Sequence, residues 1–259
     1  MKKLALLVIA AAISVPAFAA DLLDTVKSRG ALKVALEGSY PPFNFKDKQG
    51  QLTGFEVELA RELARRLGVK ADFTTGEWSG LLAGLQAGKF DVVINQVGIT
   101  DARQKVFDFS EPYTISSAQL IVRKNETRQF KSLDDLKGRK LGLGLGTNYA
   151  DMAKAVAGVD VKTYPGAPEY LQDLAQGRLD AALNDSLMIP FAIRESKLPV
   201  KPGAPVGELS KSGIPFAKGN PQFKTAIDKA LAGMHKDGSF AKISTKWFGI
   251  DVSKAPKAK

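Results

Sequence analysis

The sequence predicts an α/β protein of two similar lobes, and three observations carry that expectation. Strand-like and helix-like segments alternate along nearly the whole chain from residue 31 onward, the pattern of parallel sheets covered by helices. A unit recurs at a distance: Leu85-Gln-Ala-Gly88-Lys-Phe-Asp91-Val-Val-Ile-Asn95-Gln96 is echoed by Leu174-Ala-Gln-Gly177-Arg-Leu-Asp180-Ala-Ala-Leu-Asn184-Asp185, 89 residues later. That spacing is too long for a solenoid and suits one copy per lobe. Finally, 44% hydrophobic and 25% charged residues in a chain of 259 supply a real core under a solvated surface.

The elements follow in order. Residues 1–19 read as an export signal: Lys2 and Lys3, an apolar run over 4–13, Pro16, and Ala17-Phe-Ala19 at the cleavage point. The run is too short to span a bilayer, and without a cysteine there it offers no lipid anchor. Residues 31–36 read as a strand and 55–67 as a helix, with Phe55, Leu59, Leu63 and Leu67 on one stripe, Glu62 and Arg66 on the outer face and Gly68 at the end. A strand at 70–75, a helix at 78–87 and a buried strand at 91–95 complete the first run. After a less regular middle the pattern resumes: strand 140–145, helix from about 148, strand 161–164, helix 168–176, strand 180–184 and a helix to 196. Phe240, Ile243 and Trp247 mark a packed helix near the C-terminus.

Composition excludes several chemistries. There is no cysteine and a single histidine, His235, so disulfides, thiol nucleophiles, multi-histidine zinc sites and a Ser–His–Asp triad lack raw material. No metal or cofactor is expected. Lys and Arg total 37 against 27 acids, a net charge of +10, but they are interleaved with acids along the chain. That is a solvated surface rather than a nucleic-acid footprint.

Motif screening leaves no catalytic set. Gly142, Gly144 and Gly146 lack the third glycine of the dinucleotide fingerprint, because Thr147 or Tyr149 stands where it is needed. Ser239-Phe-Ala-Lys242 has none of its companion motifs and lies on the C-terminal helix. His235 sits near a helix end, where a dipole contact accounts for it.

The remaining groups suit a small zwitterion. The paired polar residues Asn95-Gln96 and Asn184-Asp185 fall at carboxyl ends of strands, where open α/β sheets bind ligands. Gln96-Val-Gly98-Ile-Thr100-Asp101 runs from a strand end into a helix start with Arg103 one turn later, and amides plus a guanidinium fork make a carboxylate site. By residue type alone Arg103 also fits a surface. Gly146-Thr147-Asn148 repeats the geometry in the second lobe. Asp185 suits an ammonium group and equally a helix N-cap. Tyr40 and Trp78 suit aromatic walls or core.

At these residues the sequence resembles the periplasmic solute-binding proteins of ABC importers, in the polar amino-acid family. Gly54-Phe-Glu-Val-Glu-Leu-Ala60, Ile99-Thr-Asp-Ala-Arg103, Phe107-Asp-Phe-Ser110-Glu-Pro-Tyr113 and Lys246-Trp-Phe-Gly249 carry the likeness over essentially the whole mature chain. Glu37-Gly-Ser-Tyr-Pro-Pro-Phe, Val93-Ile-Asn-Gln-Val97 and Gly144-Leu-Gly-Thr-Asn-Tyr149 look most like its cystine-binding members. The resemblance implies the type II fold of that family, two βα lobes with a discontinuous chain and a hinge. It divides the chain into 1–19 (signal), 20–114 (lobe 1), 115–211 (lobe 2) and 212–259 (return to lobe 1), with crossings near 114–120 and 207–213.

It further implies that Arg103 pairs with a ligand α-carboxylate, assisted by amides around Gly98 and Asn148 and by Thr147, with Gln96 a further ligand-binding candidate at its strand end. Asp185 would hold the α-ammonium, Tyr40 and Trp78 would sandwich the side chain, and Glu37 lies where members reading a second amine carry an acid. Position 98 is usually Ser or Thr in the family and is glycine here; Pro215 is unusual near the second crossing. The implied function is capture of a polar amino acid, cystine or a basic one, by a periplasmic monomer that delivers it to a membrane permease. An enzyme on the same scaffold, like cyclohexadienyl dehydratase, and a receptor-docking sensor are the alternatives.

Overall fold

The computed structural model describes residues 20–255; the expected signal, 1–19, lies outside the described residues. The chain enters through α1 (Leu22–Arg29), whose first turn Asp21 caps by accepting from the Leu23 amide. It continues through β1 (Ala31–Leu36), a small meander of β2 (Ser39–Tyr40), β3 (Asn44–Lys46) and β4 (Leu52–Thr53), then α2 (Phe55–Leu67), β5 (Lys70–Thr75), α3 (Trp78–Gln86) and β6 (Val92–Val93). β1 lies between β5 and β6, parallel to both. The expected stripe of α2 is buried: Phe55, Leu59 and Leu63 are fully enclosed in the core cluster with Val34, Val92 and Phe240. Gly54 starts this helix at φ 125°, and a Cβ there would stand 2.3 Å from the Phe43 carbonyl oxygen. Only glycine lets the meander press against the helix start.

The middle of the chain holds the single-turn α4 (Asp101–Gln104), β7 (Phe107–Phe109) and the long β8 (Thr114–Arg123). Then come β9 (Lys140–Gly144), α5 (Asn148–Lys154), β10 (Asp160–Tyr164), α6 (Ala167–Ala175), β11 (Ala181–Asp185), α7 (Ile189–Ser196) and β12 (Val200–Ser212). These strands form a second sheet in the order β10-β9-β11-β8-β12. β9, β10 and β11 run parallel, and β8 pairs antiparallel with β11 and β12. The ladder between β8 and β12 extends from Thr114↔Ser212 to Arg123↔Val200, with register shifts at Pro202/Pro205 and Val206/Leu209. β13 (Pro215–Ala217) returns to pair with β7, and α8 (Pro221–Lys236) and α9 (Ser239–Phe248) pack back on α2.

The sequence repeat is a repeat of atomic geometry. Gly88 and Gly177 both follow a helix end at left-handed φ, 69° and 79°. The next amide reaches back in both: Lys89 to the Gly84 carbonyl at 3.0 Å, Arg178 to the Asp173 carbonyl at 2.9 Å. Asp91 and Asp180 then lock the following strand by accepting from the Lys33 amide (2.7 Å) and the Lys140 amide (3.0 Å). Each aspartate also pairs with an arginine, Arg29 and Arg128 respectively.

Several expectations shift. The strand expected at 91–95 is laddered only over Val92–Val93, because the chain turns out of the sheet at Gln96, φ 47°. The helix after Thr100 is one turn, so its dipole is that of a few amides rather than of a full helix. Pro215 is buried in β13 opposite Phe109. α1, the meander and the β8–β12 ladder were not foreseen; the meander strands are two or three residues long, and β12 is interrupted by Pro202, Pro205 and two register shifts.

Candidate functional site

The carboxyl ends of the parallel strands in both sheets face one cavity of about 550 Å³, including its open mouth. Glu37 follows β1, Trp78 follows β5, and Asn95 and Gln96 follow β6. Opposite them, Gly144 ends β9, Pro165 and Gly166 follow β10, and Asn184 lies near the end of β11. Six of the nine expected site residues are on the wall: Glu37, Tyr40, Trp78, Gln96, Thr147 and Asn148. Gly98, Arg103 and Asp185 sit behind it, each against a wall residue. No group of His, Cys, Asp or Glu suited to a metal occurs among the described residues.

The acidic side is a connected network. Asn95 accepts from the Glu37 amide (2.8 Å) and donates to Glu37 Oε2 (2.6 Å). Asn44 Nδ2 donates both to Asn95 Oδ1 (2.9 Å) and to Oε2 of the buried Glu56 (2.7 Å). Burial pushes the Glu37 carboxyl up to about 7; its bond from Asn95 opposes this and the charge of Glu169 adds to it. Burial likewise pushes Glu56 up to about 7, against hydrogen bonds from Tyr113, Gln96 and Asn44. Two carboxyl groups are thus held near neutrality beside the cavity.

On the opposite-charge side stands Arg103. Its Nη1 donates to the Gly98 carbonyl at 3.0 Å and its guanidinium lies 5.4 Å from the Trp78 ring centroid. No carboxylate is within ion-pair distance among the described residues, and burial pulls the guanidinium below its usual range, with Asp151 the main opposing charge. An arginine in that state can take a carboxylate from outside the chain. A Cβ on Gly98 would lie 3.5 Å from both Arg103 Nη1 and Asn148 Nδ2, so this glycine stands between a side chain of each half. The Thr147 hydroxyl is already engaged: it accepts from the Ala150 amide (3.1 Å) and donates to the Gly144 carbonyl (2.9 Å). Thr147 therefore caps α5 rather than offering its hydroxyl; what remains at that corner is backbone amide and the Asn148 side chain.

Asp185 is 1% exposed. Its oxygens accept from Ser116 Oγ (2.5 Å), Tyr149 Oη (3.1 Å) and the Leu187 amide (2.8 Å). Burial, the largest influence, raises its carboxyl above the usual range. Asp185 is separated from the cavity by Tyr149, which lines it. The cavity's far wall was missed: Tyr149 was read only as part of a family signature, and Tyr170 as a helix residue with no distinguishing signal. Tyr170 Oη receives a hydrogen bond from Asn184 Nδ2, and Asn184 Oδ1 accepts from Tyr40 Oη at 2.7 Å. That bond joins the two halves across the cleft. Glu56 was read only as a family signature, because a buried carboxylate at a helix start looks like an ordinary first-turn acid.

Known proteins share this design. Residues 32–250 match the family model of bacterial extracellular solute-binding proteins, family 3. The chain is 47% identical over 246 residues to the L-cystine-binding protein TcyJ of Escherichia coli, covering 94% of this chain and 92% of that protein. It is 41% identical to the L-cystine-binding protein TcyA of Bacillus subtilis, over 90% of this chain and 87% of that one. Among solved structures, an ancestral arginine-binding protein bound to arginine superimposes with a TM-score of 0.81 at 40% identity, covering 85% of this chain and 99% of its own. A two-lobed α/β scaffold with a cavity at converging strand ends, matched over nearly its full length, places the chain in the bacterial extracellular solute-binding proteins, family 3.

Proposed function

We propose that the protein captures an amino acid carrying two positive groups, L-cystine foremost, between its lobes and delivers it unchanged to an ABC permease. The observation that carries this is one cavity with a half-buried carboxyl on its wall and an arginine directly behind it, neither with a partner of opposite charge among the described residues. Arg103 takes the α-carboxylate; Glu37 takes the second ammonium or guanidinium; Tyr40 and Trp78 cover the apolar middle. Asp185 reaches the α-ammonium through the Tyr149 hydroxyl or after that ring moves. The relatives' cystine-binding names support the ligand class.

In this reading residues 1–19 direct export to the periplasm and are removed. Residues 20–114 and 212–255 build one lobe and 115–211 the other. The β8–β12 ladder carries the hinge, and the protein works as a monomer. A thermal-shift panel of L-cystine, L-arginine, L-lysine, L-histidine and L-glutamine tests the reading. A ligand at 100 times its dissociation constant stabilises the fold by about 2.7 kcal/mol. Greater stabilisation by cystine and the basic amino acids than by glutamine is expected. A response to glutamine alone would overturn it.

A further inference from the structure

We propose that Glu56, together with Tyr113, is a positioning residue for ligand recognition: it holds the Gln96 backbone in a left-handed turn that aims the Gln96 side-chain amide into the cavity. The inference rests on the reading that this cavity holds an amino acid.

Gln96 is one of two non-glycine residues with positive φ among the described residues, at 47°. Such a conformation persists in a side-chain-bearing residue only when its surroundings enforce it. Here the enforcing group is identifiable. The Gln96 amide donates to Glu56 Oε1 at 2.7 Å and to Tyr113 Oη at 3.1 Å. Tyr113 Oη in turn donates to Glu56 Oε1 at 2.5 Å, and Asn44 fastens the other carboxylate oxygen at 2.7 Å. Glu56 is fully buried and no basic group is among the influences on it. A carboxylate in that position is a poor way to hold a helix, because its desolvation is repaid only by hydrogen bonds. All its side-chain partners lie outside α2, and one of them, Tyr113, converges with it on the Gln96 amide.

The turn has a result at the cavity. Gln96 Oε1 accepts from Thr114 Oγ1 at 2.7 Å, which fixes the side-chain amide. Its Nε2 is buried with no acceptor among the described residues, on a residue that lines the cavity. A buried donor without an acceptor is unfavourable unless a ligand supplies one. The carboxylate of a bound amino acid would do so. The carboxyl of Glu56 thus sets the backbone, Thr114 sets the rotamer, and the ligand completes the set.

A double-mutant cycle on affinity tests this by calorimetry with L-cystine and L-arginine as probes. The variants are Tyr113→Phe, Gln96→Ala and the pair. Tyr113→Phe is expected to weaken binding roughly tenfold in the native background and less than twofold in the Gln96→Ala background, because its effect passes through Gln96. Glu56→Gln, which keeps the size but sets an amide donor against Asn44, is expected to show the same dependence on Gln96. Melting of the ligand-free variants is measured alongside. A role confined to packing would lower melting and weaken binding by equal factors in both backgrounds. Equal losses, or no loss, would overturn the proposal while leaving the amino-acid reading intact. Binding of neither probe by the native protein would remove both.

Discussion

Arg103 is held by one hydrogen bond to Gly98 and by the face of Trp78, so its second prong is free for a ligand carboxylate. Arg103→Lys keeps the charge and loses the fork, and affinity should fall by about 1.5–3 kcal/mol with the fold unchanged; calorimetry showing unchanged affinity would sink the assignment. Glu37→Gln should weaken cystine, arginine and lysine by about 1–3 kcal/mol and leave glutamine nearly untouched, a contrast read from the same titrations. At Gly98 the structure sharpens an expectation. The backbone is outside the left-handed region and a Cβ would make ordinary contacts at 3.5 Å. Gly98→Ser is therefore sterically allowed and should tighten binding by about 1 kcal/mol if its hydroxyl reaches the ligand; weaker binding would mean that the added side chain displaces Arg103 or Asn148, each 3.5 Å from the new Cβ. At this scale the sequence named residues of which six line the cavity, but not their partners. The Thr147 hydroxyl looked available and is spent on a cap, and Tyr170, unremarked in the sequence, is both core and wall. Both facts depend on contacts between segments far apart in the chain.

The elements were legible where apolar periodicity was strong. α2 matches its expected bounds because its stripe is buried and its end is capped at Gly68 in the left-handed conformation. The meander and β12 escaped because their strands are too short, or too interrupted by proline and register shifts, for an alternating pattern to show. The two ends of α2 yield a paired prediction. Gly54 and Gly68 both have positive φ, 125° and 78°, but a Cβ on Gly54 meets the Phe43 carbonyl at 2.3 Å while one on Gly68 meets nothing within 4 Å. Gly68→Ala should cost about 1–2 kcal/mol, the ordinary penalty for a left-handed L-residue. Gly54→Ala adds a backbone displacement beside Glu56 and should cost about 3 kcal/mol or more. Urea denaturation of the two variants separates strain from crowding, and equal losses would mean that the meander yields freely.

Across the whole molecule, the acidic network links ligand capture to pH. Glu37 and Glu56 are each pushed up to about 7 by burial, above the range of an unfolded glutamate. A carboxyl raised in this way favours the folded state while both states are protonated. That contribution is fully present below the unfolded value and is lost as pH rises through about 7. Ligand-free melting should therefore decline over this window as far as these two groups govern it. Binding should run the other way. A ligand cation beside Glu37 favours the carboxylate and lowers its value, so below pH about 7 binding releases a proton. Affinity for cystine, arginine or lysine should rise with pH, by at most about tenfold per unit for one proton, and level off above about 7. Glutamine, with no second cation, should show no such slope. Calorimetry in two buffers of different ionisation enthalpy counts the released proton directly, and Glu37→Gln should abolish both the proton and the slope. A slope that survives Glu37→Gln would assign the proton to Glu56 instead, and a flat profile for the dicationic ligands would remove Glu37 from contact with them.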